Sequence, residues 1–374
     1  MTLQDSAQSG NVLERLTREQ RAGLFVWPSL AGPEISREEK QLLTTFKPSG
    51  VVLFRRSLKS LAQTRMLCAE IHELTRASHQ PHGAVVAIDE EGGRVYRLPP
   101  PFPRNEPAAS FASEEREDAL RSQVMMQAAC ARASGIDCLL APVADILTRQ
   151  DNPAIADRAF SSEAAVVARC ANVVAQEISS AGLLSCAKHF PGHGHTATDS
   201  HKGFATTDVD KATLSSREWL PFLSLIRDTK IPMIMTAHVV CTALEPALPA
   251  TLSRHILNDI LRAELGFNGL ILSDDLRMNA ISDHYGVSKK VTAAIVDDGQ
   301  NSHDVSDDSF LAKASCDALE AGCDILLSCQ SIVREETVLN AVMRHVDEKR
   351  NQEEWQAKAE RIVALLKKRT THLA

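Results

Sequence analysis

Apolar residues fall along this chain in short runs: Gly23–Leu30, Gly50–Phe54, Ala84–Ile88, Asp137–Ile146, Leu183–Phe190, Pro232–Val240, Gly269–Leu276 and Asp324–Cys329. Each is about the length of a strand. Most carry Val, Ile and Leu without polar alternation, as strands buried on both faces do. Between them lie stretches of helical period. Ser36–Lys47 opens with Ser36 and places Glu39 three residues on, the pattern of a capping box. Ser60–Ser78 sets Leu61, Thr64, Leu67, Cys68, Ile71 and Leu74 on one face. Ser113–Ser134, Ser161–Ala181, Leu214–Arg227, Ser253–Leu265 and Val333–Val346 read the same way. Gly135, Gly182, Gly266 and Gly322 stand just before the next strand, where a helix C-cap favours glycine. Eight strands alternating with helices predict an α/β fold, a single (β/α)8 TIM-type barrel. A doubly wound open sheet is the second choice, weakened because no Gly-x-Gly-x-x-Gly follows the first strand.

The same pattern divides the chain. Residues 1–20 are polar and are expected to be a loose leader; 21–374 are expected to form one catalytic barrel domain. Residues 282–310, with the acidic, polar run Asp297–Asp308, are expected to be an insertion after the seventh strand. Gln352–Lys368 is expected to be a terminal helix.

Composition narrows the function classes. The 374 residues are 44% hydrophobic and 24% charged, enough apolar material for a large core. Lys and Arg number 41 against 48 Asp and Glu, a net charge of −7, so the basic footprint of a nucleic-acid binder is missing. Aromatic residues at 4% are too few for base-stacking platforms. Nine cysteines without a Cys-x-x-Cys pair fit a reducing compartment better than a disulfide framework. No run reaches the ~18 apolar residues of a membrane span. The expectation is a cytoplasmic protein with no membrane or nucleic-acid partner.

A parallel barrel carries its chemistry at the C-terminal ends of its strands. Here the runs end in Asp89-Glu90-Glu91, in Asp145, in Lys188-His189, in His238 and in Asp274-Asp275, so ionisable groups from five strands should converge on one rim. Consecutive strand residues point to opposite faces, so only one of Asp274 and Asp275 should aim at the axis; the other should cap a helix or pair laterally. A carboxylate at a barrel mouth is a natural nucleophile for an anomeric carbon. The segment Lys188–His201 then turns through two glycines to Asp199-x-His201. An Asp two residues before a His can accept an imidazole N–H, raise its pKa and leave the other nitrogen to give or take a proton. His193 and His195 form a His-x-His pair of the kind that ligates zinc on a strand; set beside glycines in a loop, it is expected to hold no metal.

These motifs resemble bacterial β-N-acetylhexosaminidases of glycoside hydrolase family 3, the single-domain type of peptidoglycan recycling. The matching pieces are Asp89-Glu90-Glu91-Gly92-Gly93-Arg94-Val95-x-Arg97, Lys188 through Gly194 and on to Asp199-Ser200-His201, and Ser273-Asp274-Asp275-Leu276-x-Met278. Asn152 through Phe160 and Ala237-His238 match more weakly. The resemblance implies that Asp274 is the nucleophile and His201 the acid/base, oriented by Asp199. It implies that Asp89, Arg97, Arg158, Lys188 and His189 hold the N-acetylglucosamine ring, and that no cofactor is used. It implies a retaining reaction through a glycosyl-aspartate, acting on muropeptide fragments, in a monomer or weak oligomer. The family's arginine motif usually has Gly before x-Arg; this chain has Ala156. Three other readings stay open: a phosphorylase of the same family, a zinc amidohydrolase built from His193, His195, His238 and Asp274, and a non-catalytic sugar-binding protein.

Overall fold

A computed structural model describes residues 11–196, 205–287, 309–348 and 350–369. The central strands are β1 (Val26–Ser29), β2 (Gly50–Leu53), β3 (Val85–Ile88), β4 (Cys138–Leu139), β5 (Leu184–Phe190), β7 (Met233–Thr236), β9 (Leu270–Asp275) and β10 (Ile325–Ser331). Two short strands, β6 (Ala205–Thr207) and β8 (Val239–Cys241), pair in parallel outside that sheet. The eight central strands form one all-parallel sheet in the order β1-β10-β9-β7-β5-β4-β3-β2. That is a TIM-barrel-like order, not that of a doubly wound sheet, and its two end strands adjoin. The Trp27 indole N–H donates to Ser49 Oγ at 2.8 Å, and the Ser49 hydroxyl donates to the Leu24 carbonyl at 2.7 Å. A Cβ on Gly50 would strike the Trp27 ring, so glycine lets β2 lie against β1. No backbone ladder joins β1 to β2 among the described residues.

Strand residues such as Val51, Val86, Ile88, Cys186, Ile234, Leu272 and Leu326 are buried, as runs without polar alternation require. The surrounding helices include α1 (Arg18–Leu24), α2 (Arg37–Phe46), α3 (Leu61–Thr75), α4 (Glu117–Ala133) and α5 (Ala164–Ser180). The Ser36–Glu39 capping box is made in both directions. Gly135, Gly182, Gly266 and Gly322 all have positive φ at helix ends. The nine cysteines are free thiols. No helix of the described residues is long and apolar enough to cross a membrane.

Three expectations need correction. Residues 11–20 are not loose: Leu13 and Leu16 are buried, and Thr17 caps α1 through a reciprocal box with Gln20. The first apolar run therefore begins as helix, with Gly23 and Leu24 inside α1. The run Pro232–Val240 is two strands, because the chain leaves the sheet at Ala237-His238 and pairs with β6. Of the 282–310 stretch expected to be an insertion, residues 288–308 lie outside the described residues, and its two edges belong to the helices Asn279–His284 and Ser309–Ala321.

Candidate active site

The polar ends of the strands meet in one cluster. Lys188, near the end of β5 and 1% exposed, has its ammonium 2.7 Å from Asp89 Oδ1 and 2.5 Å from Glu91 Oε1. Period-two alternation after β3 accounts for this: Asp89 and Glu91 face Lys188. Glu90 turns away and accepts the backbone N–H groups of Arg97 and Leu98 at 2.7 and 3.0 Å. Arg158 pairs with Glu91 through Nε at 2.8 Å and Nη2 at 2.9 Å. Arg97 Nη2 lies 3.6 Å from Asp89 Oδ2. Burial resists ionisation of Glu91, but the charges of Arg158 and Lys188 overcome it and hold its carboxyl well below the usual range. Burial alone would lower Lys188; Asp89 and Glu91 reverse that and raise it.

A cis peptide joins Lys188 to His189. The His189 ring is 2.6 Å from Asp145 Oδ2 through Nδ1 and 3.4 Å from Arg158 Nη2 through Nε2. Since Arg158 can only donate, Nε2 accepts and Nδ1–H donates to Asp145. Asp145 also accepts the backbone N–H of His189 at 3.2 Å and of His193 at 2.7 Å. One buried carboxylate thus orients the ring and fixes the start of the following loop. Burial opposes its charge, yet His189 and His193 hold its carboxyl below the usual range.

On the far side, β9 ends in Asp274 and Asp275. Asp275 pairs laterally: its Oδ1 accepts the amides of Arg277 and Cys329, both at 3.1 Å. Asp274 Oδ1 accepts the Asp275 amide at 2.8 Å. Burial pushes the Cys186 thiol of β5 and the Cys329 thiol of β10 upward, and the carboxylates of Asp89 and Asp274 add to this at both. Two carboxylates from β3 and β9 therefore act on the same inner side chains, at the same end of the sheet. Behind Asp275, Glu335 accepts Arg277 Nε at 2.7 Å and the Ser328 hydroxyl at 2.5 Å; burial pushes it up to about 7 against the pull of Arg277.

The structure thus brings Asp89, Arg97, Arg158, Lys188 and His189 together and sets Asp274 at the same rim. Asp199 and His201 lie outside the described residues. The zinc reading finds no support in the geometry. His193 Nδ1 is 2.9 Å from Thr196 Oγ1, and His195 Nδ1 is 2.9 Å from Thr148 Oγ1. His238 is held between Thr251 Oγ1 and the Asp275 carbonyl. No group of three His, Cys, Asp or Glu among the described residues is placed to share an ion. Sequence reasoning gave no role to Glu91 or Asp145, although both close apolar runs, the signal that marks this rim.

Known proteins agree with this architecture. The model of the glycosyl hydrolase family 3 N-terminal domain matches residues 16–365. A "Beta-hexosaminidase" of Xanthomonas axonopodis pv. citri is 33% identical over 306 residues, covering 80% of this chain and 82% of the relative. One of Idiomarina loihiensis is 34% identical over 316 residues, covering 83% and 86%. A glycoside hydrolase family 3 β-N-acetylglucosaminidase of Paenibacillus sp. FPU-7 superposes with a TM-score of 0.83 at 31% identity. That match covers 96% of this chain, which spans 64% of the Paenibacillus chain. NagZ of Neisseria gonorrhoeae, solved with N-trifluoroacetyl-D-glucosamine, gives 0.71 at 28% identity over 91% of this chain and 92% of its own. The cluster at the strand ends is thus the candidate active site of a chain that belongs to glycosyl hydrolase family 3.

Proposed function

We propose that this chain is a retaining exo-β-N-acetylglucosaminidase that removes terminal β-linked N-acetylglucosamine from muropeptide fragments, working in the cytoplasm as a monomer or weak oligomer. The observation that carries the reading is the shared rim: the ion-paired cluster of Asp89, Lys188, Arg158 and His189 and the end of β9 that carries Asp274 lie at the same end of one parallel sheet. The names of the curated relatives and the sugar analogue bound to the Neisseria structure support the substrate class. In this reading the eight strands form one closed barrel domain that includes α1 and the buried Leu13 and Leu16, and Lys188, Asp89 and Arg97 supply hydrogen bonds to the ring hydroxyls. Arg158 and His189 hold the same sugar.

The chemistry is a double displacement. Asp274 attacks the anomeric carbon as the bond to the leaving oxygen breaks, and His201, oriented by Asp199, gives that oxygen a proton. Water then attacks the glycosyl-Asp274 ester, His201 takes its proton, and the sugar leaves with its configuration kept. Two carboxylates of the cluster are committed elsewhere: Glu91 is locked between two cations and Asp145 is held by His189.

The test is turnover of p-nitrophenyl N-acetyl-β-glucosaminide beside the plain β-glucoside. The reading expects a strong preference for the acetamido sugar. Equal rates, or turnover of neither, would overturn it. The acid role has its own check: His201→Ala should slow substrates with poor leaving groups far more than activated aryl glycosides, and equal loss would contradict it.

A further inference from the structure

Most exposed arginines near the site are matched with acids: Arg94 with Asp157, Arg116 with Glu106 and Arg149 with Asp151. Arg55 and Arg104 are different. Arg55 Nη1 donates to the Tyr96 hydroxyl at 2.8 Å, and Arg104 Nη2 donates to the same oxygen. Their guanidinium carbons lie 4.9 and 4.4 Å from the centre of the Tyr96 ring. Among the described residues neither has an acidic partner. Two like charges are thus gathered on one aromatic ring, each using one nitrogen on the shared hydroxyl and keeping most of its N–H donors free.

The position is specific. Arg55 follows Phe54 at the C-terminal end of β2, and Tyr96 and Arg104 follow β3, so all three stand on the rim that carries the cluster. Tyr96 is the chain neighbour of Arg97, which reaches Asp89 and lies 5.9 Å from the Phe54 ring. The bracket therefore stands on the rim beside the cluster assigned to the sugar, and in an exo-acting enzyme the group on the departing oxygen is the part of the substrate that extends past that sugar.

We propose that Arg55, Tyr96 and Arg104 form a carboxylate-binding subsite for that departing group. The proposal rests on the N-acetylglucosaminidase reading above and adds a charge requirement and named residues to it. Planar guanidinium groups match a carboxylate through paired N–H donors, and gathering the cations beforehand on one ring reduces what binding must order. Because the bracket is exposed, its effect is modest and screened by salt.

The experiment compares two aryl N-acetyl-β-glucosaminides, one with a ring carboxylate and one with its methyl ester, in wild type and in Arg55→Gln/Arg104→Gln. Dividing the carboxylate-to-ester ratio of kcat/KM in wild type by that in the variant cancels the leaving groups' intrinsic difference. Both substrates are measured on one preparation, so any unfolded fraction cancels as well. The quotient is expected to be about tenfold at low salt and to shrink toward one as salt rises. A quotient near one at low salt overturns the subsite while leaving the enzyme reading intact. Absence of nitrophenol release from any N-acetylglucosaminide overturns the enzyme reading itself. A third arm adds inorganic phosphate: acceleration with formation of sugar 1-phosphate, lost in the variant, would assign the bracket to phosphate and overturn the proposal.

Discussion

Arg158 holds Glu91 side by side, Nε to Oε2 at 2.8 Å and Nη2 to Oε1 at 2.9 Å, while the same Oε1 also meets Lys188. One carboxylate thus neutralises two buried cations. Glu91→Gln removes the charge and keeps the shape, leaving Lys188 with Asp89 alone and Arg158 with no charged partner of its own in the cluster. Removing one partner of a buried pair typically costs about 3–5 kcal/mol. Urea unfolding of the variant should show a loss of that order; a loss below about 1 kcal/mol would mean that the cluster is solvated.

Asp145 tests how the site is oriented. Asp145→Asn replaces a charged acceptor that takes three N–H groups, from His189 twice and His193 once. A charge-assisted hydrogen bond contributes about 1.5–3 kcal/mol, so kcat/KM should fall by about ten- to a hundredfold. Because His189 is assigned to ground-state binding as well as to the transition state, KM should carry part of the loss. An unchanged KM with a lowered kcat would place His189 in the chemistry instead.

Ala156 has φ of 40°, a left-handed backbone conformation, at the position where the family motif usually has glycine. A left-handed L-residue costs roughly 1–2 kcal/mol, and glycine's larger unfolded-state entropy offsets part of any relief. Ala156→Gly is expected to stabilise the fold by about 0.5–1 kcal/mol, read as a higher urea midpoint. A lower midpoint would show that the Ala156 methyl contributes packing that outweighs the backbone cost.

The acid limb of stability should depend on His193. Burial lowers its pKa to about 4, against an ordinary value near 6.5. Below pH 6.5 the unfolded chain takes up a proton that the folded one refuses, so stability present above 6.5 is lost as the pH falls toward 4. The loss is on the order of 3 kcal/mol. Glu335, raised to about 7, works in the opposite sense and loses its contribution as the pH rises from 4.5 toward 7. His193→Gln should therefore flatten the decline between pH 6.5 and 4 in unfolding free energies; an unchanged slope would show that His193 titrates normally.

Much of this was legible because a barrel writes its plan in one dimension. The apolar runs located the strands, and their polar ends located the rim, down to Asp275 pairing laterally with β10. The division of labour among Asp89, Glu90 and Glu91 was also readable by alternation, yet the partner of Glu91 was not, since Arg158 is 67 positions away. Helix α1 was missed although Thr17-Arg18-Glu19-Gln20 spells its cap, because the surrounding polar residues masked Leu13 and Leu16. The β6–β8 pair left no signal, because strands of three residues are defined by their partner and not by their own pattern.

The central claim is that Asp274 attacks the sugar. The most direct measurement is trapping with a 5-fluoro N-acetylglucosaminyl fluoride, which slows hydrolysis of the ester, followed by peptide mapping. The predicted result is one sugar mass on the peptide containing Asp274, absent in Asp274→Asn. A sugar mass on any other residue, or turnover of the probe by Asp274→Asn at the wild-type rate, would contradict it.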